Sequence, residues 1–278
     1  MQTERQRKHR FFDRFTILGA IVLMVIGLLV GQALGSLLGM PIGRLSGDTA
    51  FGGGIGTSII AFLLLLLYKI WFRPEFEGNL RGGDLKLGFK LAIIYVIYWI
   101  ATVPITFLSP DVTFGPPTMS TIAMALMAGT SEEVAFRGLP ISYLMRQWRE
   151  DKHILTALIF TAGVFGLVHI QNIFVGADPG STVAQVISAF CTGIILGAIF
   201  LRCGNLLITI LIHTVHDIIA FLDVSGVQNG VVVASIDWST CLDLGASVVM
   251  AIIGFWLVRP AKRAEIREIW NKKWGISC

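Results

Sequence analysis

Apolar residues run through this chain in long blocks separated by short polar stretches. A helix that crosses a bilayer needs about 20 consecutive, mostly apolar residues. Eight blocks approach or reach that length: 15–38, 55–72, 89–108, 119–136, 154–174, 183–201, 206–222 and 241–258. The seventh is the shortest and is interrupted by His213, His216 and Asp217. The pattern predicts an all-α membrane protein with eight transmembrane helices in one domain, spanning 15–258. Residues 1–14 form a basic N-terminus, and 259–278 a basic amphipathic tail. In that tail Ile266, Ile269, Trp270 and Trp274 recur at helical spacing, which predicts a helix lying on the lipid surface.

Composition agrees. Of the 278 residues, 54% are hydrophobic and 14% charged, against about 25% charged in soluble domains. The distribution of the net charge of +4 matters more than its sum. One set of loops carries Arg5, Arg7, Lys8, Arg10 and Arg14, then the 69–90 loop, the 146–152 loop, Arg202 and the tail. The other set holds Arg44 as its single basic residue, with Asp48, Asp111, Asp178, Asp223 and Asp237. This asymmetry predicts both termini in the cytoplasm. It assigns the basic charge to membrane topology, so no nucleic-acid partner is expected. The block 15–38 is too long for a cleaved leader and reads as a retained first span. Cys191, Cys203, Cys241 and Cys278 show no CxxC or metal spacing. Gly52, Gly53, Gly54 and Gly56 follow no strand and precede no Lys, so they predict a loop and close helix packing, not a nucleotide site. Pro104 is expected to bend the third span, and Pro140 to kink or end the fourth.

Ionisable groups are costly in hydrocarbon and persist mainly where they pair, catalyse or conduct. Three clusters stand inside the apolar blocks. The first is Glu132, Glu133 and Arg137. Residues four apart share a helix face, so Glu133 and Arg137 are placed to pair. Glu132 is turned about 100° away and lacks a local partner. The second is His169, with Phe165 one turn earlier to wall its ring. The third is His213, His216 and Asp217, where His216 reads as a flanking residue. A carboxylate and a histidine in a partly dry pocket suit the activation of water. His213 with Asp217 suits the stabilisation of an oxyanion. Together they suit hydrolysis of a peptide bond. A lone membrane histidine often only bridges helices, and a Glu–Arg pair is often structural; convergence of three clusters favours chemistry.

The series Glu132-Glu133-x-x-x-Arg137, Phe165-x-x-x-His169 and His213-x-x-x-Asp217 resembles the three motifs of the CPBP family of intramembrane proteases. These are prokaryotic relatives of the CAAX-prenyl endopeptidase, also called Abi proteins. Phe190-x-x-Gly193-x-x-x-Gly197 and Gly204-Asn205-Leu206 are similar to the family's approach to its last motif. The resemblance covers 119–222. It implies an eight-helix intramembrane endopeptidase in which Glu132 and His169 activate water while His213 and residue 217 stabilise the oxyanion. Residue 217 is Asn in the prenyl-endopeptidase branch and Asp here, and an ionised Asp cannot donate to an oxyanion.

The family's metalloprotease label makes zinc the alternative, with Glu132, His169 and His213 as ligands. A metal-free glutamate protease is favoured, with no cofactor assigned. The expected partners are the bilayer and a peptide or small membrane-protein substrate, at a prokaryotic plasma membrane. Two other functions compete. One is a non-catalytic peptide-binding scaffold or bacteriocin-immunity protein of the same fold. The other is a proton-relaying transporter, disfavoured because no internal repeat is visible. Along the chain, Glu132 stands near the cytoplasmic end of block 119–136 while His169 lies deep in the next block. A bend or tilt is expected to bring them level.

Overall fold

The computed structural model describes residues 14–108, 112–223, 227–228, 231–232, 236 and 238–276. The basic residues Arg5, Arg7, Lys8 and Arg10, the loop residues Asp111 and Asp237, and Cys278 lie outside them. The described chain is helical apart from loops and a two-residue β-hairpin, β1 (Val227–Gln228) and β2 (Val231–Val232). All eight apolar blocks are helices. They are α1 (Thr16–Ser46), α2 (Thr49–Phe72), α3 (Leu85–Phe107), α4 (119–147), α5 (Lys152–Val175), α6 (Pro179–Cys203), α7 (Leu206–Ala220) and α8 (Trp238–Leu257). A ninth helix, α9 (Pro260–Lys273), follows. Among the described residues, six helices are long and apolar enough to cross a membrane: α1, α2, α3, α5, α6 and α8. The polytopic membrane character therefore stands. Helix α7 is apolar but has only 15 residues.

Local chemistry explains where the helices start. Asp48, Asp84, Asp178 and Asn205 each accept a backbone N–H of the first turn of α2, α3, α6 and α7. Thr118 and Thr121 form a reciprocal capping box on α4. Such caps satisfy donors that have no intrahelical partner. Gly204 ends α6 at φ +65°, a conformation that favours glycine.

Packing relies on small residues. Any Cβ on Gly39 or Gly56 would overlap the backbone of the facing helix, at Gly52 and Gly35 respectively. The glycines at 52–56 thus belong wholly to α2: Gly52 and Gly56 pack on α1 and Gly54 on Ala123 of α4; the expected loop is helix, because Asp48 caps the chain ahead of them. Helix–helix contact through small residues is the usual device where no hydrophobic effect drives association.

Two expectations are corrected. Pro140 does not end α4. A π-turn at Val134–Gly138 absorbs one extra residue, with Leu139 N–H donating to Val134 O, and the helix continues to Gln147. Residues 133–145 are buried throughout, so this polar-looking half of α4 is core. The second correction is the tail. Ile266, Trp270 and Trp274 are buried in protein and not laid on lipid. Trp270 Nε1–H donates to Leu201 O at 3.0 Å, Trp274 stacks on Phe76 with ring centres 4.5 Å apart, and Arg202 pairs with Glu265 at 3.0 Å. Lys273 Nζ donates to Gly78 O and Arg81 O at 2.7 and 2.6 Å. The amphipathic face meets α6 and the loop after α2.

Candidate active site

The site is assembled where α4, α5 and α7 meet. Gly129 allows it: a Cβ there would overlap Thr214 Oγ1, so the two helices cross closely one turn before Glu133 and one residue past His213. Gly27 plays a similar part, since a Cβ would stand 2.8 Å from Ala135 Cα and force α1 off the π-turn. Helical π-turns recur at functional positions because they re-aim side chains.

Glu133 and Arg137 form the expected ion pair at 3.1 Å, both almost fully buried. The same Glu133 Oε1 lies 2.9 Å from His213 Nδ1, which donates to it. That contact joins residues 80 positions apart; the sequence paired His213 only with Asp217. On its other side, His213 Nε2 is 3.7 Å from Glu132 Oε2 and 3.6 Å from Asp217 Oδ2. Both separations exceed a hydrogen bond, and a polar gap of this width suits a bridging water or a substrate oxygen. Glu132 is 26% exposed at its side chain against 0% for Glu133. The two neighbours thus occupy different environments, as their helical rotation requires.

Phe165 ties the clusters together. Its ring is edge-on to His169 at 5.1 Å and to His213 at 6.2 Å, and it packs on Phe136 at 5.2 Å. The Arg137 guanidinium lies 4.1 Å from its centre, a favourable cation–π contact. His169 opens the 3₁₀ turn at the end of α5. Its Nδ1 is 2.9 Å from Phe165 O. A proton on Nδ1 serves that carbonyl and leaves the Nε2 lone pair for other work.

Glu132, His169, His213 and Asp217 line one cavity of about 630 Å³. The mismatch in depth follows from taking residue 136 as the end of the fourth helix. Because α4 continues to Gln147, Glu132 is ~22 Å from its end and His169 ~25 Å from the start of α5, at 1.5 Å per residue. His216 lines the cavity as well. Trp99 Nε1–H donates to its Nδ1 at 3.4 Å, and Tyr95 and Tyr98 pack on its ring. This α3 wall was invisible in the motif pattern. So was Asp243 on α8, a further lining residue; its signal was an isolated carboxylate inside an apolar block.

The ligand set considered for zinc does not fit. Among the described residues no three His, Cys, Asp or Glu side chains are arranged to hold a metal ion. The Nδ1 bonds of His213 to Glu133 and of His169 to a carbonyl leave the Nε2 of each ring facing the cavity and do not themselves bear on metal binding. No chemical step is routed through a metal.

Residues 114–219 match the family model described as Type II CAAX prenyl endopeptidase Rce1-like. This segment is Rce1-like. It contains all three ionisable clusters and the close α4–α7 crossing. No curated protein and no solved structure matches the chain. The match is confined to this segment, and α1, α2, α3, α8 and α9 lie outside it.

Proposed function

We propose that the protein is an intramembrane endopeptidase that hydrolyses a peptide bond with a water activated by Glu132 and His169. The observation that carries this reading is His213, held at Nδ1 by buried Glu133 while its Nε2 faces Glu132 and Asp217 across gaps of 3.6–3.7 Å. The Rce1-like match supports a peptidase of the CAAX type.

Glu132 or the His169 Nε2 lone pair takes a proton as the water oxygen bonds to the scissile carbonyl carbon. The negative charge moves to the carbonyl oxygen. His213, protonated at both nitrogens, donates from Nε2 to that oxyanion, and Asp217 orients and balances the imidazole. Collapse restores the carbonyl, breaks the C–N bond and passes the proton to the leaving amine. Arg137 neutralises Glu133, so the buried carboxylate stays ionised and keeps His213 fixed. This is glutamate-type catalysis. The substrate is a membrane-associated peptide, lipidated or not.

The topology proposed with it has eight spans, including the short α7 and the polar α4, with both termini cytoplasmic in a prokaryotic plasma membrane. The distribution of basic loops supports this reading.

The deciding experiment is cleavage of a fluorogenic peptide panel, prenylated and unprenylated, by purified protein. Wild type is compared with Glu132→Ala and His169→Ala, each with and without a zinc chelator. The expected result is turnover lost in both variants and indifferent to chelator. Turnover unchanged in the variants removes this assignment, and chelator sensitivity reverses the catalytic type.

A further inference from the structure

One group in the cavity wall is not used by this chemistry. Asp243 of α8 holds its carboxylate between two neutral hydroxyl donors: Tyr98 Oη donates to Oδ1 at 2.8 Å and Ser188 Oγ to Oδ2 at 3.0 Å. Ser247 Oγ, 2.8 Å from Ser188 Oγ, braces the second donor. Hydroxyls from α3 and α6 thus fix the direction of the carboxylate without neutralising it. Among the described residues no cation pairs with Asp243, and none of the described residues lining the cavity is Lys or Arg. Residues 203–258 contain no Lys or Arg at all.

Asp243 is exposed in the free protein, so a peptide that fills the cavity would displace water from it, and an oriented carboxylate with no counter-charge then gains most from a cation that arrives with that ligand. The position suits substrate selection. The Tyr98 ring lies 5.9 Å from the His216 ring, and His216 is next to Asp217 and one turn from His213. Asp243 therefore stands beside the reacting groups without contacting them.

We infer that Asp243 is a specificity-determining residue that selects peptide substrates carrying a Lys or Arg side chain within a few residues of the scissile bond. The inference rests on the peptidase reading and adds its substrate class. Tyr98 and Ser188 are positioning residues that act through Asp243.

The test uses matched peptides differing at one position near the scissile bond: Lys, norleucine or Glu. Two readouts are taken on full-length protein in nanodiscs, kcat/KM for cleavage and Kd for binding to the Glu132→Gln variant. The expected result is at least a tenfold preference for Lys over norleucine, with Glu poorest. Asp243→Asn should abolish that preference, bringing the Lys and norleucine peptides within threefold of each other. Tyr98→Phe, which keeps the charge but loosens its direction, should reduce the preference without abolishing it. Equal handling of Lys and norleucine, or a Lys preference that survives Asp243→Asn, overturns the inference and leaves proteolysis standing. Absence of all cleavage defeats the peptidase reading. Binding then decides the specificity of Asp243 alone: a Lys preference lost in the Asp243→Asn/Glu132→Gln protein upholds it, and equal Kd values overturn it.

Discussion

Glu132 and Glu133 are adjacent in sequence and differ in environment, and substitution separates the two. Glu132 faces the cavity and makes no buried ion pair with Arg137, so Glu132→Gln should leave the thermal midpoint near that of wild type. If it is the base, kcat/KM should fall by roughly 10²–10⁴, the usual contribution of a general base. Steady-state kinetics beside a melting curve check both. Glu133→Gln strands Arg137 in the core. Leaving one buried charge uncompensated costs about 3–5 kcal/mol, and chemical denaturation should read that loss. The double variant Glu133→Leu with Arg137→Leu removes both charges and should recover much of the stability. Its turnover should stay lost, since His213 Nδ1 no longer has its acceptor. Recovery of turnover in the double variant would make Glu133 purely structural. The Glu133–Arg137 pair was legible because it is contained in one helical turn. The bond from Glu133 to His213 was not, because it depends on how two helices cross.

At the scale of elements, the crossing of α4 and α7 is decided by Gly129. Adding a single methyl in Gly129→Ala must move one helix. Overpacking of this kind costs about 1–3 kcal/mol, and activity should fall further than stability because His213 shifts from Glu133. Paired unfolding and kinetic measurements test this; normal turnover would show that the crossing is more tolerant than its geometry indicates. Helix α9 offers a pH-dependent test outside the membrane. Burial pushes the Lys273 ammonium down to about 8, against an opposing pull from Glu77. Between pH 8 and the ordinary 10.5, the unfolded chain binds a proton that the docked lysine does not. Docking should therefore tighten as pH rises through that window and weaken as pH falls to 8. Protease protection of α9 from pH 7 to 10 reads it, and Lys273→Met should flatten the profile. The helical repeat of Ile266, Trp270 and Trp274 revealed an apolar face. It did not reveal whether lipid or protein covers that face, since both satisfy the same pattern.

For the whole molecule, six helices among the described residues meet the length and apolarity needed to span, while α4 and α7, which carry two of the three ionisable clusters, fall outside that set. The proposed eight-span topology places Arg44 and Lys152 on opposite sides. On a cysteine-free background, Arg44→Cys should react with a membrane-impermeant maleimide in intact cells, and Lys152→Cys only after permeabilisation. Labelling of both from one side would break the topology. Taken alone, the sequence determined the helices and the identity of the ionisable clusters. Apolar blocks and residues one turn apart act within a short stretch of chain, so their pattern is readable there. Tertiary packing decided the continuation of α4 through Pro140, the capture of His213 by Glu133, the docking of α9 and the placement of Asp243 beside the cavity. The last three join segments distant along the chain, and the first depends on the core packed around residues 133–145; these are properties that no single stretch of sequence contains.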